Sequence, residues 1–105
     1  YYVHGNWMSE QDTRERVQAI GRSISRYADR PYRLVVLSWP SQRERHPVSD
    51  IRENGECADT QAFYLDYLVR NTDPASDVSL IGFSFGGRTV TGALHLLAGG
   101  AINGR

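Results

Sequence analysis

The 105-residue chain contains no lysine: all twelve of its basic residues are arginine, set against twelve acidic residues for a formal net charge of zero. A balanced chain has no long-range field to draw in nucleic acid or an anionic membrane, so neither is expected as a partner. An arginine-only basic set reads as codon composition rather than as a phosphate-binding surface. Cysteine is almost missing as well. Cys57 stands alone, which excludes an internal disulfide and is compatible with a reducing, cytoplasmic setting. No apolar run approaches the ~20 residues that a membrane-crossing helix needs, so no span is expected. Repeats and low-complexity tracts are lacking, and no spacing of His, Cys, Asp and Glu suggests a metal site or other cofactor. There is also no polar lead-in: Tyr1-Tyr2-Val3 reads as the middle of a strand. The far end, from Gly99 to Arg105, reads as a loop leading onward. The expectation is that residues 1–105 are an N-terminal to central piece of one domain, with apolar strand edges and one poorly covered sheet face.

What is present alternates. The apolar run Tyr1–Val3 ends in the turn signal His4-Gly5-Asn6. Ser9 or Asp12 can then cap a helix, and Asp12 with Glu15 three residues on resembles a capping box. Val17, Ile20, Ile24 and Tyr27 recur at helical spacing over residues 13–28. Asp29-Arg30-Pro31 closes that helix. Leu34-Val35-Val36-Leu37 is a continuous apolar run, the pattern of a strand covered on both faces. Residues 50–69 form a second helix, with Cys57, Ala58, Gln61, Leu65 and Leu68 able to share one face. Val78–Gly82 is a third strand. A third helix spans residues 85–98, with Val90, Ala93, Leu94 and Leu97 on its apolar face and Gly99 as its stop. Strand and helix in strict alternation predict an α/β fold: three parallel strands alternating with three helices joined by right-handed crossovers. If the second and third strands flank the first, the chain reverses direction between first and third. Ligands bind beyond the strand C-termini at such a switch point.

One segment carries chemistry. Gly82-Phe83-Ser84-Phe85-Gly86 fits G-x-S-x-G, follows an apolar strand directly and opens a helix directly, the context of a nucleophile elbow. The turn is sharp, so Gly82 and Gly86 are expected where side chains would collide with the neighbouring strand and helix. Ser84 is then presented at the sheet edge as the catalytic hydroxyl. An oxyanion hole needs two converging backbone N–H groups. Phe85, after the nucleophile, would supply one. The His4-Gly5-Asn6-Trp7 loop would supply the other, with Gly5 permitting the turn and Asn6 preferred over Trp7 as donor. Trp7 and Phe83 would lie near the substrate, and together with Phe85 favour an apolar acyl group.

The same residues can be read otherwise. Gly82 to Thr89 differs by one residue from a phosphate-binding G-x-x-x-x-G-K-T loop, with Arg88 where lysine, a compact point charge, is needed. A fold retained as a non-catalytic binding module is a third reading.

These motifs resemble the α/β-hydrolase superfamily over nearly the whole chain, as its third to fifth strands and the helices that follow. Val3-His4-Gly5-Asn6, Leu37-Ser38-Trp39-Pro40-Ser41 and Leu80–Arg88 together look like a group of bacterial serine hydrolases. Phe83 stands where many relatives carry His, and Phe85 where Met or Gln is common. The resemblance implies a partial α/β-hydrolase fold and hydrolysis of an ester, thioester or similar acyl bond in a small-molecule substrate, without a cofactor.

Such a serine needs a base and an orienting acid, in the chain order Ser, acid, His. Neither follows Ser84 in a suitable place. His95 falls eleven residues along the same helix, about 16 Å away at 1.5 Å per residue. His4 is expected to hydrogen-bond loop backbone, and His46 to lie in an exposed charged loop. Asp50 and Asp77 read as a helix cap and a turn before the third strand. The base and acid are therefore expected beyond residue 105, and the 105 residues alone are expected to be inactive.

Overall fold

A two-residue ladder organises the chain. In the computed structural model, which describes residues 1–5, 9–38 and 47–104 (the side chains of 47–54 excepted), β1 is Tyr2–Val3, β2 is Val36–Leu37 and β3 is Ile81–Gly82. Both outer strands run parallel to β1, in the order β2-β1-β3, with Tyr2 opposite Val36 and Ile81, and Val3 opposite Leu37 and Gly82. This is the flanking arrangement considered above, so the switch point lies between β1 and β3. The ladders are shorter than the apolar runs Leu34–Leu37 and Val78–Gly82 suggest. An outer strand pairs only where the central one faces it, and β1 contributes two residues. Single bonds extend the contact: Tyr2 N–H to Val35 O and Ile81 N–H to Tyr1 O, both 2.8 Å.

Three helices alternate with the strands: α1, Glu10–Tyr27; α2, Pro47–Arg70; α3, Phe85–Leu97. α1 begins three residues earlier than its periodicity suggests, because Ser9 is the cap. The Ser9 hydroxyl accepts from the Asp12 N–H at 3.0 Å, and Asp12 Oδ2 accepts in return from the Ser9 N–H at 3.0 Å. The capping box is thus Ser9/Asp12 rather than Asp12/Glu15. α3 stops as expected, with Gly99 at φ +91°, a backbone region that glycine enters without steric cost.

The core lies where α2 and α3 cover one face of the sheet. Val3, Leu65 and Ala93 are fully buried together, with Leu37, Leu80, Phe85 and Val90 packed around them. Burying Leu65 alone contributes about 2 kcal/mol. The buried residues of α3 are Gly86, Thr89, Ala93 and Leu96, so the apolar face is turned from the one expected and Leu94 is 51% exposed. The reason is close helix approach: Gly92 stands where a Cβ would lie 2.9 Å from the Ala62 Cβ. Thr89 is tolerated in this seam because its hydroxyl donates to the Ala58 carbonyl at 2.9 Å. On α2 the innermost residues are Ala58, Ala62 and Leu65, while Cys57, Gln61 and Leu68 sit at its margins.

α1 behaves differently. Thr13 is its one buried residue. Val17, Ile20 and Ile24 are half-buried, and Tyr27, expected on the inner face, is 82% exposed. Among the described residues no strand or other helix packs closely on α1; Tyr32 of the following loop reaches its second half, donating to Gly21 O at 3.1 Å and lying 2.6 Å from Ser25 Oγ. Among the described residues no helix is long and apolar enough to cross a membrane.

Candidate active site

Ser84 joins β3 to α3 in a backbone conformation that is costly for any residue with a side chain. Its φ is 56° and ψ −120°. Among the described residues, the only other non-glycine residue with positive φ is Asn103, a type that tolerates the left-handed region. Strain of this kind costs about 1–3 kcal/mol and persists only where the surroundings hold it. Here they do. The Phe83 N–H donates to Val3 O at 3.1 Å, tying the turn to β1, and the Gly86 and Gly87 N–H groups donate to Phe83 O and Ser84 O at 2.9 and 2.8 Å.

Both flanking glycines are required by contact. A Cβ on Gly82 would fall 2.5 Å from the Gly86 carbonyl oxygen, and one on Gly86 would overlap the Val3 carbonyl and lie 2.6 Å from that of His4. Gly5 abuts the same turn: its Cβ would be 2.9 Å from Phe83 O and 3.0 Å from the Ser84 Cβ. The loop after β1 and the turn after β3 are therefore brought into direct contact at the C-terminal edge of the sheet.

The Ser84 side chain is exposed and makes no capping bond to α3. A serine at a helix N-cap ordinarily accepts from the second or third N–H of the helix. This hydroxyl is not spent that way. With the Gly86 and Gly87 N–H groups engaged, the Phe85 N–H is left without a backbone acceptor among the described residues. It is one of the orphan donors of a helix start, where the dipole favours negative charge. The Phe85 side chain itself packs on the core, so it is turned away from the exposed Ser84 hydroxyl rather than lying beside it as expected. Phe83 is 46% exposed, with the Arg16 guanidinium 4.8 Å above its ring. Asn6 and Trp7, the expected second oxyanion donor and substrate neighbour, lie outside the described residues, as do Trp39-Pro40-Ser41 and His46.

The remaining candidates are engaged elsewhere. His4 is buried, its Nδ1 3.0 Å from the Gly5 carbonyl oxygen, a bond to loop backbone as expected. His95 Nε2 lies 3.2 Å from Ala101 O at the far end of α3. Asp77 pairs with Arg30. The side chain of Asp50 is outside the described residues. Arg88 donates to both Asp59 carboxylate oxygens at 2.6 and 2.7 Å, and these bonds raise its pKa further. A cation so held by α2 is not the mobile point charge that a phosphate loop requires. The Arg16–Phe83 contact is not an expectation of the sequence: its residues are 67 apart in the chain, and no local spacing joins them. Compared with family models, curated proteins and solved structures, the chain matches none.

Proposed function

We propose that Ser84 is the nucleophile of a serine hydrolase with an α/β-hydrolase fold, acting on an ester, thioester or similar acyl bond. The observation that carries this reading is the φ of 56° at Ser84 between β3 and α3, held by Gly82 and Gly86 at positions that admit no Cβ. A turn without chemistry has no use for a strained, exposed hydroxyl that leaves its own helix uncapped.

In this reading Ser84 Oγ attacks the acyl carbon and its proton passes to a histidine base. The carbonyl π pair becomes an oxyanion, received by the Phe85 N–H and by an N–H of the His4-Gly5-Asn6 loop, Asn6 by preference. Collapse expels the alcohol or thiol, which takes the proton from the histidine. Water repeats the sequence and releases the acid. His4 and His95 are bonded to Gly5 and Ala101, so this reading takes the base from neither of them. A fluorophosphonate probe applied to the intact protein tests the proposal. Covalent labelling at Ser84, lost in Ser84→Ala together with esterase activity, is the expected result. Esterase activity surviving in Ser84→Ala removes it.

A further inference from the structure

Tyr2, Ile81 and Phe83 share one face of the sheet, the face opposite Val3 and the core. Tyr2 and Ile81 are register partners, and Phe83 follows Ile81 by two residues, the period that returns a side chain to the same face. Ile81 and Phe83 are 39% and 46% exposed, whereas Tyr2 is 1% exposed. Arg16, from α1, reaches this face.

Two independent observations meet there. Arg14, Arg30, Arg70 and Arg88 each pair with a carboxylate. Arg16 is exposed and rests on the Phe83 ring, with no carboxylate partner among the described residues. A guanidinium lying on a ring keeps its edge N–H groups free for a two-pronged grip on a carboxylate. Beside it, the Tyr2 hydroxyl is buried and has no hydrogen-bond partner among the described residues. Buried phenols nearly always find one, so an orphan is a donor still in need of an acceptor. The Arg16 charge acts on that hydroxyl, opposing the upward push that burial gives its pKa. Two sources of attraction for an anion, the Arg16 guanidinium and the Tyr2 hydroxyl, thus meet beside Phe83, the residue preceding Ser84.

We infer that Arg16 and the Tyr2 hydroxyl form a subsite for a carboxylate carried on the acyl part of the substrate, so that the enzyme prefers half-esters of dicarboxylic acids to neutral esters. This rests on the reading of Ser84 as nucleophile. Arg16 and Tyr2 take no part in bond making; they select and orient.

The intact protein is compared on the p-nitrophenyl monoester of glutaric acid and on neutral p-nitrophenyl hexanoate. Wild type is expected to prefer the glutarate ester in kcat/KM. Arg16→Gln is expected to lower that preference about tenfold, mostly through KM, as loss of a charge-assisted contact would. Tyr2→Phe is expected to lower it without lowering Tm, because it removes an unsatisfied buried hydroxyl; a structural role alone would not give this pair of results. Equal preference in wild type and Arg16→Gln, or no preference in wild type, overturns the inference. If neither ester is turned over, the nucleophile reading fails by itself. Calorimetric titration of Ser84→Ala with monomethyl glutarate then still decides the subsite: binding that disappears on adding Arg16→Gln supports it, and no binding with Arg16 present removes it.

Discussion

At the scale of single residues, Ser84 holds a conformation that works against folding. The strain at φ 56° is worth about 1–3 kcal/mol, while the extra freedom that glycine brings to the unfolded chain is worth about 0.4–1 kcal/mol. Ser84→Gly is therefore expected to stabilise the protein by about 1 kcal/mol and, on the proposed reading of Ser84 as nucleophile, to abolish activity. Ser84→Ala keeps the Cβ and so keeps the strain; it should bring little gain in stability and, on the same reading, the same loss of activity. Chemical denaturation of the three proteins separates these cases, and equal stability of the glycine and alanine variants would show that the backbone is not strained. At Gly86 the sign reverses. A methyl group there overlaps the Val3 carbonyl, and Gly86→Ala should lower stability by about 3 kcal/mol or more, as overpacking at a rigid backbone contact does.

Much of this was legible beforehand. G-x-S-x-G between an apolar run and a helical pattern specifies both the turn and the reason for its glycines. The Tyr2 hydroxyl and the Arg16–Phe83 contact were not legible, because they arise from how distant parts of the chain come together. Local spacing says nothing about residues 67 positions apart.

At the scale of elements, α1 shows how a cap can be misread from local pattern alone. Ser9 and Asp12 both suit an N-cap, and Asp12/Glu15 has the same spacing as Ser9/Asp12. The structure selects the earlier pair, which adds the Ser9 hydroxyl to Asp12 Oδ2 bond at 2.7 Å. Loss of such a cap costs about 1 kcal/mol, and Ser9→Ala should lower helix content at the α1 start accordingly. The box also has a pH signature. The Ser9 hydroxyl, and secondly its backbone N–H, hold the Asp12 carboxyl below the usual carboxylate range. A depressed folded-state pKa contributes stability that is fully present above the unfolded pKa and is lost as pH falls through the folded one. α1 should therefore begin to fray below the normal carboxylate range, and Asp12→Asn should remove that acid-dependent step. Residue-resolved NMR of α1 during acid titration would show it; an identical acid response in Asp12→Asn would exclude the box as its cause. The helix faces were harder to read than the helix limits. On α3, leucine count favours the Leu94 side, yet the small residues Gly86, Thr89 and Ala93 face inward because the neighbour approaches closely.

At the scale of the whole molecule, the two faces of the sheet are unequal. α2 and α3 pack along their lengths on each other, and α3 packs on β1 and β3. α1 makes no comparable contact with the sheet or with another helix among the described residues. Its C-terminal end carries a shallow apolar depression of about 420 Å³ lined by Ser23, Ile24, Tyr27 and Ala28, and on the sheet Ile81 and Phe83 remain partly exposed. The radius of gyration of 14.5 Å exceeds the roughly 13 Å of a compact domain of this length, in keeping with one well-covered layer and one thin one. Local stability follows buried contact, so opening free energies should differ between the layers. Native-state amide exchange of the 105-residue chain is expected to protect the α2 and α3 amides around Leu65 and Ala93 most strongly. The second half of α1, from Ile20 to Tyr27, should exchange fastest among the helices. Equal protection of all three helices in the 105-residue chain would contradict the unequal layering, since a helix with one buried residue has no contacts with which to match the core.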